Sequence, residues 1–368
     1  MNRPLECRMS LEFSDRRVAG TPDAERARLL TDPVFGQVLT DHMVTIKWTR
    51  ERGWHDALLG PYGPLALDPA TQVFHYGQEI FEGLKAYRRE DGSIVSFRPD
   101  ANAARLNSSA VRMAMPALPE ETFLEALRLL LDADRDWVPS GHGNSLYLRP
   151  FMIATQRSLG FYDASDSYLF TVIACPAGAY FKGGVEPVSV WITTDYSRAA
   201  DGGTGAAKCG GNYAGTLVAQ RQAAEQGCDQ VVWLDSKERR WVDEMGTSNM
   251  FFVHGDRLVT PELTGTLLSG VTRDSVLTLA RDLGLTAEEG RVSVEQWRAD
   301  AASGRLTEVF SCGTSSMITP VGRARSAQGE WLMGDGRPGP VTLRLREELM
   351  GIQSGERPDR HGWLHKMA

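Results

Sequence analysis

Cysteine is scarce in this sequence. Five residues, Cys7, Cys175, Cys209, Cys228 and Cys312, are scattered through 368 positions with no C-x-x-C pair. An odd total at such spacing fits neither a disulfide framework nor a zinc site, so no metal is expected and a reducing cytoplasm suits the chain. Long apolar runs are missing as well. None approaches the ~20 residues that a membrane span needs. The stretch from Met1 to Gly20 mixes Arg, Glu and Asp and lacks the apolar core of a secretory signal. No Lys/Arg block stands out, and the formal net charge is −7. Nucleic acid and anionic membrane are therefore excluded as expected partners, which leaves a small molecule as the default ligand.

The chain is long enough for two domains, each with its own core. Val44–Trp48 alternates apolar and polar residues, the period of a strand. In Glu121–Leu131, apolar residues at 123, 124, 127, 130 and 131 share one helical face, and Pro119 precedes the acids of a helix start. Ser145–Ala154 and Ser167–Cys175 read as strands. Pro176–Pro187 is rich in Gly and Pro without periodicity and reads as an interdomain linker. Further strands are expected at 189–194, 230–234 and 249–253. Helices are expected at about 214–226, stopped by Gly227, and at about 273–283, ending at Gly284. The mixed order of elements predicts an α+β fold in two domains.

The chemistry concentrates in Gly203–Tyr213, Gly-Thr-Gly-Ala-Ala-Lys-Cys-Gly-Gly-Asn-Tyr. A phosphate-binding Walker loop would need Gly-Lys-Ser/Thr, and a dinucleotide fingerprint starting at Gly203 would need Gly or Ala where Lys208 sits. Both fail. What remains is a lysine between glycines, where backbone can approach a flat ligand closely. A surface loop whose lysine faces water explains this stretch equally well. Three other segments bear on the choice. Glu244 stands just before a Gly-Thr turn and a strongly apolar strand. Thr272 is a candidate N-cap with Asp274 in the first turn, and a helix N-terminus is a natural seat for phosphate. Ser311–Ser316 is a run of small residues whose N–H groups could form an anion nest. Each has a bland alternative: a strand-end acid, a plain cap, a tight turn. Together they describe a cofactor cradle.

Phe81–Tyr87 (Phe-Glu-Gly-Leu-Lys-Ala-Tyr), Phe97–Leu106, Lys208–Tyr213 and Glu244–Thr247, taken in this order, resemble the branched-chain amino acid aminotransferases. These are fold-type IV pyridoxal phosphate enzymes. The likeness runs from Val34 to Val321 and implies a smaller N-terminal α/β domain at 1–175, with 1–30 as a mobile arm. A loop at 176–187 and a larger lysine-bearing domain at 188–368, with a mixed β-barrel-like core, would follow. It implies pyridoxal 5'-phosphate as cofactor. Lys208 would be the catalytic Schiff-base lysine and proton shuttle, and Glu244 would pair with the ring nitrogen. Tyr213 would bond the ring oxygen. Arg105 would hold the phosphate together with N–H groups at Val271, Thr272 and Thr314. Phe35, Tyr76, Phe81, Tyr180 and Thr247 would wall an aliphatic side chain. Tyr147 and Arg149, two apart on one strand face, would meet the glutamate γ-carboxylate. Thr314 and Ser315 would take the α-carboxylate. Leu159 and Phe161 would reach the partner's site in a homodimer.

The implied reaction is reversible, ping-pong transfer of the amino group between leucine, isoleucine or valine and 2-oxoglutarate. D-amino-acid and aromatic aminotransferases and aminodeoxychorismate lyases share the lysine and the acid. Phe81–Lys85, Tyr147-x-Arg149 and the long N-terminal segment favour the branched-chain type. A non-catalytic phosphate-ligand binding module is the rival from another class. One departure concerns a C-x-x-C pair that some relatives carry after the Gly-Thr turn. Ser316 and Thr319 stand there, so no thiol switch is expected at that place.

Overall fold

The alternating run at 44–48 forms the centre of a longer strand, and similar runs extend the same sheet. The structure is a computed structural model that describes residues 11–178 and 185–368. Its first half contains β1 (Phe13–Asp15), β2 (His42–Thr49), β3 (Gly53–Pro61), β4 (Glu79–Phe81), β5 (Leu84–Arg88), β6 (Ile94–Phe97), β7 (Ser145–Ala154) and β8 (Ser167–Ala177). Helices α1 (Asp23–Leu30), α2 (Gln72–Tyr76), α3 (Pro99–Arg112) and α4 (Glu120–Ala133) accompany them. The sheet order is β1-β3-β2-β8-β7-β5-β6, with β4 on β7. Helix α4 buries Phe123, Ala126, Leu127, Leu130 and Leu131. Removing one such large apolar side chain from water contributes about 1.5–3 kcal/mol, which is what holds the helix on the sheet. The stretch expected as an arm carries β1, paired in parallel with β3, and α1.

The second half contains β9 (Val188–Ile192), β10 (Gln230–Leu234), β11 (Val242–Met245), β12 (Ser248–His254), β13 (Arg257–Pro261), β14 (Thr286–Gly290), β15 (Glu308–Gly313), β16 (Met317–Ser326) and β17 (Gly329–Leu332). Its helices are α5 (Gly211–Ala214), α6 (Leu217–Glu225), α7 (Val271–Asp282), α8 (Val294–Ser303) and α9 (Pro340–Ser354). The sheet order is β11-β10-β9-β16-β15-β12-β13-β14, and β11 also pairs with β12. That extra pairing closes six strands, β11-β10-β9-β16-β15-β12, into a barrel-like ring of mixed parallel and antiparallel neighbours. Closure satisfies every strand edge in the ring. The last strand, β18 (Leu364–Lys366), returns to the first sheet beside β6.

Three boundaries differ from the sequence reading. Pro176 and Ala177 belong to β8, paired with Leu146 and Ser145, so the expected linker begins inside a strand. The helix expected from 214 is two pieces broken at Gly215–Thr216. Helix α7 starts at Val271 with Gly270 as its N-cap, so Thr272 lies within the first turn and is not the cap. Only glycine fits at that cap position, since a Cβ on Gly270 would lie 2.1 Å from Asn249 Oδ1. Gly227 and Gly284 adopt φ of +67° and +81°, as the expected helix ends require.

Candidate active site

Lys208 sits on a loop held rigidly from several sides. Its backbone N–H donates to Ser109 Oγ of α3 at 2.9 Å, and its carbonyl accepts from Phe81 N at 3.0 Å. Asn212 Nδ2 donates to the carbonyls of Thr204 (2.8 Å) and Ala207 (2.9 Å). Gly205 and Gly210 serve this stitching. A Cβ on Gly205 would lie 2.4 Å from the Thr266 carbonyl oxygen, and one on Gly210 would meet the Glu79 carboxylate. Small residues are needed where one backbone crosses another.

The lysine amine ends in a cavity of about 290 Å³ between the two sheets. Phe35, Phe81, Arg105, Tyr147, Arg149, Tyr213, Thr247, Val271, Thr272, Thr314 and Ser315 all line it with Lys208. Lys208 Nζ lies 2.7 Å from Tyr213 Oη and over the Phe81 ring. Burial, then the Arg105 cation, push the lysine down from 10.5 to about 7. The Tyr213 hydroxyl moves the opposite way, raised chiefly by burial, and stays protonated. Among the described residues, the charged side chains lining the cavity are Arg105, Arg149 and Lys208, with the acids Glu82 and Glu244 set behind the wall. A cavity lined by two arginines and a lysine suits an anionic ligand.

One end holds the Arg105 cation. Arg105 is clamped by the fully buried Glu82, with Nε to Oε1 and Nη2 to Oε2 both at 2.8 Å. Asn102 Nδ2 donates to Glu82 Oε2 at 2.7 Å. Val271 and Thr272 open α7, so their N–H groups have no carbonyl within the helix to bond and face the same end. Arg149 also lines the cavity. Its Nη2 donates to Tyr147 Oη at 3.1 Å, its guanidinium stacks 4.9 Å from the Phe81 ring, and its buried Nε has no hydrogen-bond partner. Gly83 makes room for this pair, since a Cβ there would collide with the Tyr147 hydroxyl.

Glu244 borders the cavity without lining it. Its Oε1 accepts from Leu268 N (2.7 Å) and Asn249 Nδ2 (3.2 Å), and both of those residues line the wall. Its buried Oε2 has no hydrogen bond; Arg198 Nε stands 3.1 Å away as an ion-pair partner outside hydrogen-bond geometry. Arg198 also donates to the carbonyls of Thr266 and Gly205, so it ties the acid to the lysine loop. Ser316 and Thr319 line the cavity too, with Thr319 Oγ1 donating to the Ser316 carbonyl at 3.1 Å.

Three expected residues are not brought to this cavity by their own chain. Tyr76, Leu159 and Phe161 are exposed at 37%, 64% and 59%. Gly77, in the left-handed conformation, ends α2 and turns Tyr76 toward the 157–163 loop, where it stacks on Phe161 at 4.5 Å. Tyr180 lies outside the described residues. Conversely, Glu82, Arg198, Asn249 and Ser109 do site work that the sequence reading missed. Glu82 stood inside a segment already singled out; nothing local to Arg198 or Ser109 relates them to Glu244 or Lys208.

The profile of the amino-transferase class IV family matches residues 79–324, and the chain belongs to that family. It is 59% identical over 347 residues to a probable branched-chain-amino-acid aminotransferase of Streptomyces coelicolor, covering 94% of this chain and 96% of that one. It is 56% identical over 364 residues to the branched-chain-amino-acid aminotransferase of Mycobacterium tuberculosis, covering 97% and 99%. The fold is similar to that of the T.th. branched-chain amino acid aminotransferase with pyridoxamine 5'-phosphate. That match has a TM-score of 0.73 at 28% identity, covering 88% of this chain and 98% of the other.

Proposed function

We infer that this chain transfers the amino group between branched-chain L-amino acids and 2-oxoglutarate, with pyridoxal 5'-phosphate as cofactor. The observation that carries the reading is one buried lysine, poised near pH 7 between a clamped arginine and an unpaired one. The donor set fits the cofactor. Arg105 with the N–H groups of Val271, Thr272 and Thr314 would hold its phosphate, Glu244 Oε2 its ring nitrogen, and Tyr213 its ring oxygen. When bound, the cofactor supplies an electrophilic carbon for the amino group and a ring that withdraws electrons.

The chain's residues do the rest. Lys208 Nζ, whose proton affinity is lowered to about 7, accepts the proton released at the substrate α-carbon and returns it on the other side of the transfer. Tyr213 Oη, 2.7 Å away, orients that amine. Phe35, Phe81 and Tyr147 offer apolar and aromatic surface to a leucine-like side chain. Arg149 has no carboxylate within ion-pair distance among the described residues, which supports its pairing with the second carboxylate of glutamate. Thr314 and Ser315 would take the shared α-carboxylate. The exposure of Tyr76, Leu159 and Phe161 supports their crossing to the partner's cavity in a homodimer. Residues 1–175 and 188–368 read as two domains about the cavity, with β18 crossing back. Scattered, free cysteines at the described positions support a cytoplasmic location.

The test is chemical. The purified protein should be yellow, and borohydride should bleach it while fixing the cofactor to Lys208. Lys208→Ala should fold and lose turnover, and leucine, isoleucine and valine should donate to 2-oxoglutarate. A colourless protein that takes up no pyridoxal phosphate sinks the cofactor assignment. A preference for D-alanine sinks the substrate alone.

A further inference from the structure

A second cavity, of about 480 Å³, lies between β5, the 141–144 loop and α9. It backs onto the active cavity across the hairpin that joins β15 to β16. Ser315 and Ser316 of that hairpin face the active cavity, whereas Met317 faces this one. Met317 adopts φ +58°, a conformation that a side chain of its size rarely takes, and its neighbours hold it there. Lys85 Nζ reaches the Ser315 carbonyl at 3.4 Å, and Arg346 Nη1 donates to the Ile318 carbonyl at 2.8 Å. Two cations thus hold the turn and the β16 arm of one hairpin from behind.

Lys85 is the anomaly. The rim charges of this cavity are paired among themselves: His142 with Glu356 at 3.0 Å, and Arg357 with Glu348 and, at 4.0 Å, with the exposed Glu347. Arg88 spends its guanidinium on the carbonyls of Val138 and Arg135. Lys85 has no carboxylate within ion-pair distance among the described residues. Burial, and then the neighbouring Arg346 cation, push its amine down to about 8. An ammonium without a carboxylate partner in a half-buried space costs free energy that an anion beside Lys85 would recover. Tyr87, Met317, Leu343 and Met350 give the wall an apolar stretch, beside the polar Asn144, Gln353 and Ser354.

We propose that this cavity binds a small carboxylate with an aliphatic tail, its head on Lys85 beside Arg346 and its tail against Met317, Leu343 and Met350. The charge and the apolar wall select that class together: inorganic phosphate leaves the wall unused, and a neutral aliphatic leaves the Lys85 charge uncompensated. Because the same lysine holds the Ser315 carbonyl, an occupant also changes how firmly the wall of the active cavity is held.

The holoenzyme should be titrated calorimetrically with 3-methylbutanoate, which cannot be transaminated. Wild type, Lys85→Met and Leu343→Trp are compared. Lys85→Met removes the charge at similar length, and Leu343→Trp puts an indole into the tail space without touching either cation. The wild type should show a binding event that weakens at least ~10-fold in Lys85→Met, equivalent to a lost charge-assisted contact, and disappears in Leu343→Trp. A wild-type isotherm with one class of site, unchanged in both variants, assigns all binding to the active cavity and overturns the proposal. Should Lys85→Met fail to fold, Leu343→Trp decides alone. Failure of the transaminase reading removes a different event, the one that survives both substitutions.

Discussion

Replacing Glu82 by alanine tests the logic of the phosphate end. The carboxylate is fully buried and accepts four hydrogen bonds: two from Arg105, one from Asn102 Nδ2 and one from Gly83 N. Breaking a buried ion pair by removing one partner costs about 3–5 kcal/mol, because the other charge stays buried without compensation. Arg105 retains 11% side-chain exposure and reaches the cavity, so water can partly resolvate it, which favours the lower figure. We therefore expect cofactor-free Glu82→Ala to lose about 3 kcal/mol of unfolding free energy in urea. Inorganic phosphate should return part of that loss, since an anion can replace the missing countercharge. Acidity supplies a further check. Burial raises the Glu82 carboxyl, but the Arg105 charge and hydrogen bonds outweigh it and hold the group below its ordinary 4.5. A depressed carboxyl contributes stability that is complete above the unfolded value and is lost as pH falls through the folded one. The gap between wild type and variant should thus be full above about pH 4.5 and shrink below it. A loss under ~1 kcal/mol, within the range of an exposed pair, would refute the reasoning, as would a gap that widens with acid.

Three more outcomes follow from the same geometry. Uptake of pyridoxal phosphate by the cofactor-free protein should accelerate with rising pH about a midpoint near 7; a midpoint near 10.5 would mean that the cavity does not perturb Lys208. Arg149→Met should raise KM for 2-oxoglutarate roughly 10–100-fold, the value of a charged hydrogen bond, and change the leucine half-reaction much less. Equal losses with both substrates would argue for a general structural role. Gly205→Ala forces a Cβ to within 2.4 Å of the Thr266 carbonyl and should cost about 1–3 kcal/mol with reduced turnover. Gly211→Ala, with nothing within 4 Å of its added carbon, is the control.

Local chemistry alone settled much of this protein. Period and capping placed β2, β7, α4 and α7 to within a few residues, because hydrophobic alternation and glycine stops act over short spans of chain. The glycine loop singled out Lys208, and the spacing of Tyr147 and Arg149 set both on one face of β7. Tertiary structure decided the rest. Whether the lysine faced water or a cavity depended on Ser109, Phe81 and Thr266 converging from distant segments, and only that burial lowers its proton affinity. The N-cap of α7 lies at Gly270, where Asn249, from a strand distant in sequence, leaves no room for a side chain. Tyr76 read as a wall of the cavity, and within its own chain it packs on Phe161, a contact set by where α2 ends. Arg198 left no trace in the linear pattern, because its partners Gly205, Thr266 and Glu244 meet only when the barrel closes. Residue types and short spacings are properties of the chain. Burial, charge pairing and the shape of a cavity belong to the folded arrangement, since each depends on groups far apart in sequence.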